Sequence, residues 1–187
     1  MRVGIGALVG ILGGPATYAR ELIAALARLG GHEYVVFTDR PEGFAGLDVE
    51  TIPVPLRSSY HQVTWDHWAL PALVAARGVR VYHGTKNVLP WRLSVPAVVT
   101  VHDLAVYACP DTFSLPQRLH LRALIPRSVA RASRVIADSE HARGDIVARF
   151  GVAGERVVAV PLGVGAAYLT PVPAEAVARL RRAHGLG

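Results

Sequence analysis

Seven short apolar runs recur along this chain, and their spacing limits what it can fold into. They are Arg2–Leu8, Tyr34–Thr38, Val49–Val54, Val79–Tyr82, Val95–Val101, Arg134–Ala137 and Arg156–Val160. Each is rich in Val, Ile or Ala and has strand length. Between them lie stretches of helical length. Tyr18, Leu22, Ala25, Leu26 and Leu29 fall on one helical face after Pro15, a residue suited to a first helical turn. Ser58–Arg77 is expected to be a loop and a core-packed helix carrying Tyr60, Trp65, Trp68, Leu70 and Leu73. Leu115–Ala132 is expected to be helical with a kink or break at Pro126, its arginines 118, 122, 127 and 131 on a solvated face. Ser139 is placed to cap a helix that buries Ile146, Val147 and Phe150 and stops at Gly151; Ala174–His184 is the last helix. Strands alternating with helices predict an α/β protein, a doubly wound, Rossmann-like and mainly parallel sheet with helices on both faces. Residues 1–170 are expected to form this domain and 171–187 a hinge and helix.

In such sheets ligands sit beyond the carboxyl ends of the strands. Four places are candidates for ligand contact, three of them polar and one a glycine pair. The strand in Val95–Leu104 (VPAVVTVHDL) runs directly into His102 and Asp103. A histidine can hydrogen-bond a ligand or exchange a proton near neutral pH, and Asp103 can orient it or cap the next turn. Gly13 and Gly14 precede the first helix, where backbone amides and the helix dipole can hold a phosphate. His83, Gly84, Thr85, Lys86 and Asn87 follow another strand and suit a pocket wall, with His83 and Lys86 as candidates. Ser139 and Glu140 follow a third strand and suit a helix start or a ligand contact. Gly4, Gly6 and Gly10 nearly spell a dinucleotide fingerprint, but Val9 stands at the third glycine's place. With Asp39 after the second strand, this leaves a nicotinamide-dependent oxidoreductase as an alternative; a non-catalytic module binding a sugar or partner protein is another.

Composition narrows the field. Half of the residues are hydrophobic (51%) and only 18% charged, which describes a globular chain. The net charge is +6, carried almost wholly by Arg, since Lys86 is the only lysine. The arginines are spread over several helices without forming a block, so no nucleic-acid partner is expected. The single cysteine, Cys109, implies no disulfide framework and a reducing, cytoplasmic setting. VGIGALVGIL resembles a short leader, yet it reads better as a first strand and glycine loop. The aromatic stretch 58–77 lacks a polybasic face, so membrane-surface association is not indicated. Histidine and cysteine spacing suggests no metal site.

Five segments in order carry a resemblance: GGPATYARELIAAL, VYHGTKNVLP, VPAVVTVHDLAVYACPDTF, RASRVIADSEHARGDIVARFGV and ERVVAVPLGVGAAY. Together they resemble the N-terminal half of a family 4 glycosyltransferase, the retaining GT-B group. The resemblance implies two Rossmann-like domains facing across a cleft, the N-terminal one mainly holding the acceptor. It implies transfer of a mannose- or glucose-type hexose from a nucleotide-diphosphate sugar to a hydroxyl acceptor (a glycan, a lipid-linked or a small molecule), with no metal or other cofactor. The family's active-site histidine falls on His102, its phosphate-approaching glycine loop on Gly13 and Gly14, and its helix-start motif on Ser139 and Glu140. Ala16 and Thr17 stand where the loop often has a glycine and a basic residue, and Leu162-Gly163-Val164-Gly165 where an Asn-Gly-Val-Asp turn is common. The family's paired glutamates and phosphate-binding Arg and Lys belong to a C-terminal domain. The expectation is therefore half of an enzyme, inactive alone, whose partner is its own missing donor-binding domain.

Overall fold

The computed structural model describes residues 1–9, 13–55 and 65–186. Among these residues seven strands form one sheet in the order β3-β2-β1-β4-β5-β6-β7, every neighbouring pair parallel. They are β1 (Arg2–Ala7), β2 (Glu33–Thr38), β3 (Glu50–Pro53), β4 (Val81–Gly84), β5 (Ala97–Val101), β6 (Arg134–Ala137) and β7 (Val157–Ala159). The helices are α1 (Gly14–Leu29), α2 (Leu70–Ala76), α3 (Ala105–Ala108), α4 (Leu115–Arg131), α5 (Glu140–Phe150), α6 (Ala166–Leu169) and α7 (Ala174–Ala183). Winding runs outward from β1 to β3, then returns to place β4 on the other side of β1. That reversal is the switch point at which a crevice opens over the strand ends.

Alternation along the strands splits the core in two. Ile5, Ala7, Tyr34 and Val36 pack with Ala19 and Ile23 of α1 on one face of the sheet. Val35, Phe37, Tyr82, Val99 and Val135 join the larger cluster on the other. Burying a side chain of this size is worth about 1.5–3 kcal/mol. Gly6 faces the second cluster because a Cβ there would lie 2.1 Å from the Tyr82 hydroxyl. The near-fingerprint glycine of β1 is thus room for a tyrosine.

Four expectations are corrected. α1 turns Ala16, Ala19 and Ile23 inward, while Leu29 stands in solvent, because the sheet selects a stripe offset from the one the leucines mark. In the aromatic stretch, residues 58–64, Tyr60 among them, lie outside the described residues. Trp65–Ala69 form a wide π-type turn before α2, with Leu70 buried but Trp68 exposed. α4 passes through Pro126 unbroken. Proline there cannot donate to the carbonyl of Arg122, and the Tyr107 hydroxyl donates to it instead at 3.3 Å. Nor are the arginines of α4 all solvated: Arg122 Nε donates to the carbonyl of Val106, and Arg131 to those of Trp91 and Leu93. The expected cap is present, Ala142 N–H donating to Ser139 Oγ at 3.1 Å, and Gly151 ends α5 in the left-handed conformation.

Candidate active site

A cleft of about 1130 Å³ opens over the carboxyl ends of β1, β4, β5 and β6. Its polar wall is built by strand register. Val101 pairs with Ala137, so the residues that follow, His102 and Asp138, emerge side by side. His102 Nδ1 lies 2.8 Å from Asp138 Oδ2, and Nε2 lies 2.9 Å from the Thr85 carbonyl. Both oxygens accept, so the two contacts are met together when both ring nitrogens carry hydrogen. The His102 backbone N–H donates to Asn87 Oδ1 at 3.0 Å. Asn87 is held at φ 57°, a left-handed conformation that asparagine tolerates, and its own N–H donates to the Thr100 carbonyl. The loop after β4 is thereby clamped to the end of β5, and His102 is held at three points, two on its ring and one on its backbone.

Tyr18 of α1 supplies a fourth contact. Its ring meets His102 edge-on, centroids 4.8 Å apart, and its hydroxyl is 3.0 Å from Thr100 Oγ1. Burial raises the Tyr18 pKa against the lowering effect of that hydrogen bond, and the Asp138 charge adds to the rise. His83 sits beneath, Nε2 2.8 Å from the same Thr100 oxygen. Burial, with the His102 charge nearby, lowers its pKa to about 4, so it is neutral at physiological pH. Gly14 and Pro15 bring the start of α1 to the cleft. Gly13 before it has φ 99°, which favours glycine, and as the N-cap residue it has no side chain to cap the first turn.

The far wall comes from the α3–α4 connection and the turn before α2. It is lined by Phe113, Ser114, Gln117, His120 and Leu121 together with Asp66 and His67. Burial, reinforced for His67 by His120, lowers the pKa of both histidines.

The structure thus brings His102, Asp103, Gly14 and Lys86 into one cleft, with Gly13 adjoining. Asp103 accepts from the Ala105 N–H at 2.8 Å and so starts α3. His83 is only 8% exposed and stands behind the wall. Ser139 caps α5 and Glu140 lies 3.3 Å from Arg143; neither lines the cleft, nor does Asp39. Asp138 and Tyr18 were not singled out from sequence. Asp138 had a readable signal, since it follows its strand as His102 follows the neighbouring one. Among the described residues no three His, Cys, Asp or Glu side chains gather as a metal site. Also among them, no helix is long and apolar enough to cross a membrane.

Comparison with known proteins agrees with this architecture. The family model described as Glycosyltransferase Family 4 matches residues 12–167. The O-antigen chain mannosyltransferase B of Escherichia coli is 28% identical over 102 residues, 54% of this chain and 26% of that protein. Among solved structures, Anabaena HepE in complex with UDP and glucose superposes with a TM-score of 0.63 at 16% identity, over 99% of this chain and 50% of its own. Sucrose-phosphate synthase from Thermosynechococcus elongatus gives 0.66 at 20% identity, over 96% and 52%. The chain therefore spans about a quarter of that curated relative and about half of those two structures.

Proposed function

This chain belongs to Glycosyltransferase Family 4, and from that premise we propose that it forms one wall of a cleft in which a hexose passes from a nucleotide-diphosphate sugar to a hydroxyl acceptor with retained anomeric configuration. The observation that carries the reading is the fixed His102 at the switch-point cleft, beside the glycine-capped start of α1. The anomeric carbon leaves the diphosphate oxygen as it bonds, on the same face, the acceptor oxygen, whose proton passes to the departing diphosphate. Negative charge then grows on the leaving diphosphate, and the sugar becomes oxocarbenium-like. First-turn amides at Gly14 and the Lys86 ammonium suit the first demand. His102 suits the second demand: a sugar hydroxyl in the cleft would share the Nε2 hydrogen with the Thr85 carbonyl, while Asp138 keeps Nδ1 occupied and the ring oriented. The relatives support the donor class, since HepE was solved with UDP and glucose and the Escherichia coli relative is a mannosyltransferase.

The test is transfer by the full-length natural protein across UDP- and GDP-linked glucose, mannose and galactose, with nucleoside diphosphate release and product anomericity read together. An α-linked product from an α-linked donor supports the proposal; an inverted product, or no transfer from any of them, overturns it.

A further inference from the structure

The cleft continues past Leu89 and Pro90. Both residues line it, and both also line a second, smaller groove of about 570 Å³. This groove lies between Trp91 and α4, with Arg127 on the helix side. Trp91 is 50% exposed. Its ring stacks on His67 of the cleft wall, centroids 4.4 Å apart and planes 15° apart, so one face is held. Arg131 donates to the Trp91 carbonyl at 3.2 Å and fixes the turn. Arg127 donates to the Ala123 carbonyl at 2.6 Å through one guanidinium nitrogen and has no further partner among the described residues. Neither α4 nor the β4–β5 connection, residues 85–96, contains Asp or Glu.

These groups select the occupant. A peptide would ask the groove for main-chain partners, and those are taken. The Leu89 N–H donates to Ser128 Oγ at 2.9 Å, Pro90 has no N–H, and the Trp91 carbonyl accepts from Arg131. What is left is a flat aromatic ring with an indole N–H, beside a planar guanidinium. A pyranose fits that pair: its C–H face packs on the aromatic ring, and its rim hydroxyls accept from the planar donors. We infer that the groove is a second glycan subsite, holding sugar units of the acceptor beyond the one whose hydroxyl reacts in the cleft. The acceptor is then an oligosaccharide chain and not a single sugar. The Thr85 carbonyl touches His102, and Trp91 stands six positions further on. That stretch of chain spans at most about 20 Å, so the two subsites lie within reach of one short glycan. The inference rests on the transferase reading, because it concerns that reaction's acceptor.

The test is donor-free binding by the full-length natural protein, read by ligand-observed NMR and tryptophan fluorescence. The probes are mannose, glucose and galactose, each as the methyl glycoside and as linear α- and β-linked oligosaccharides. At least one oligosaccharide should bind about tenfold or more tighter than its methyl glycoside. Stacking and neutral hydroxyl contacts should keep that gain at raised salt. Trp91→Ala should remove the gain and leave the methyl glycoside's affinity in place, with circular dichroism unchanged. Trp91→Phe should restore part of it, and Arg127→Ala should reduce it. Trp68, exposed but outside the groove with the Arg92 guanidinium 5.2 Å from its ring, is the control: Trp68→Ala should bind as wild type. No gain with length for any sugar, a gain that survives Trp91→Ala, an equal loss in Trp68→Ala, or a gain abolished by salt overturns the inference. Transfer onto single sugars with no length gain defeats this subsite alone; a length gain without transfer from any donor defeats the transferase reading alone.

Discussion

His83 makes the stability of this domain fall in mild acid. Its pKa is lowered to about 4 in the folded protein, against about 6.5 in an unfolded chain. The unfolded state therefore binds the proton first. Stability is complete above pH 6.5 and is lost as the pH falls from there toward 4. The full effect is about 3 kcal/mol, and between pH 7 and pH 5 about 2 kcal/mol is already gone. For a domain of this size that corresponds to roughly 5 °C in Tm. Glutamine at 83 keeps a hydrogen-bonding group for Thr100 but cannot titrate. Urea denaturation of wild type and His83→Gln at pH 7 and pH 5 isolates the term. His67 and His120 are shifted in the same direction, so both proteins retain a common acid loss. Wild type should lose about 2 kcal/mol more than the variant. Equal losses would refute the claim that His83 is buried neutral behind the cleft.

Two further outcomes follow from packing. Gly6→Ala drives a methyl group against the Tyr82 hydroxyl and should cost about 1–3 kcal/mol in chemical denaturation. Adding Tyr82→Phe should recover part of it, and strict additivity would contradict the contact. Tyr107→Phe leaves the Arg122 carbonyl without the hydroxyl that serves it beneath Pro126. It should cost about 0.5–1.5 kcal/mol, and an unchanged midpoint would show that water replaces the hydroxyl fully.

The parallel sheet was legible in sequence because buried parallel strands read as continuous Val and Ile runs, and each observed strand falls within or beside such a run. His102 was legible for a related reason: it stands at the end of the clearest run. What stayed hidden depends on partners far along the chain. Asp138 becomes a histidine partner only when β5 and β6 align, and Tyr18 reaches His102 across 84 positions only because α1 starts at the cleft. His83 looked like a ligand residue because polar residues clustered there, yet register turns its ring to Thr100 behind the wall. Trp68 read as core because helical periodicity ranks aromatic residues as buried; the π-type turn rotates it to solvent.

The most direct test of the account is turnover of the full-length protein with His102 replaced by alanine, measured on the best donor alongside Tm. The account predicts a loss of about 10²–10³ in kcat, with circular dichroism unchanged and Tm lowered by the several degrees that leaving the Asp138 carboxylate unpaired costs. Turnover within a few-fold of wild type would contradict the placement of the transferred sugar against His102.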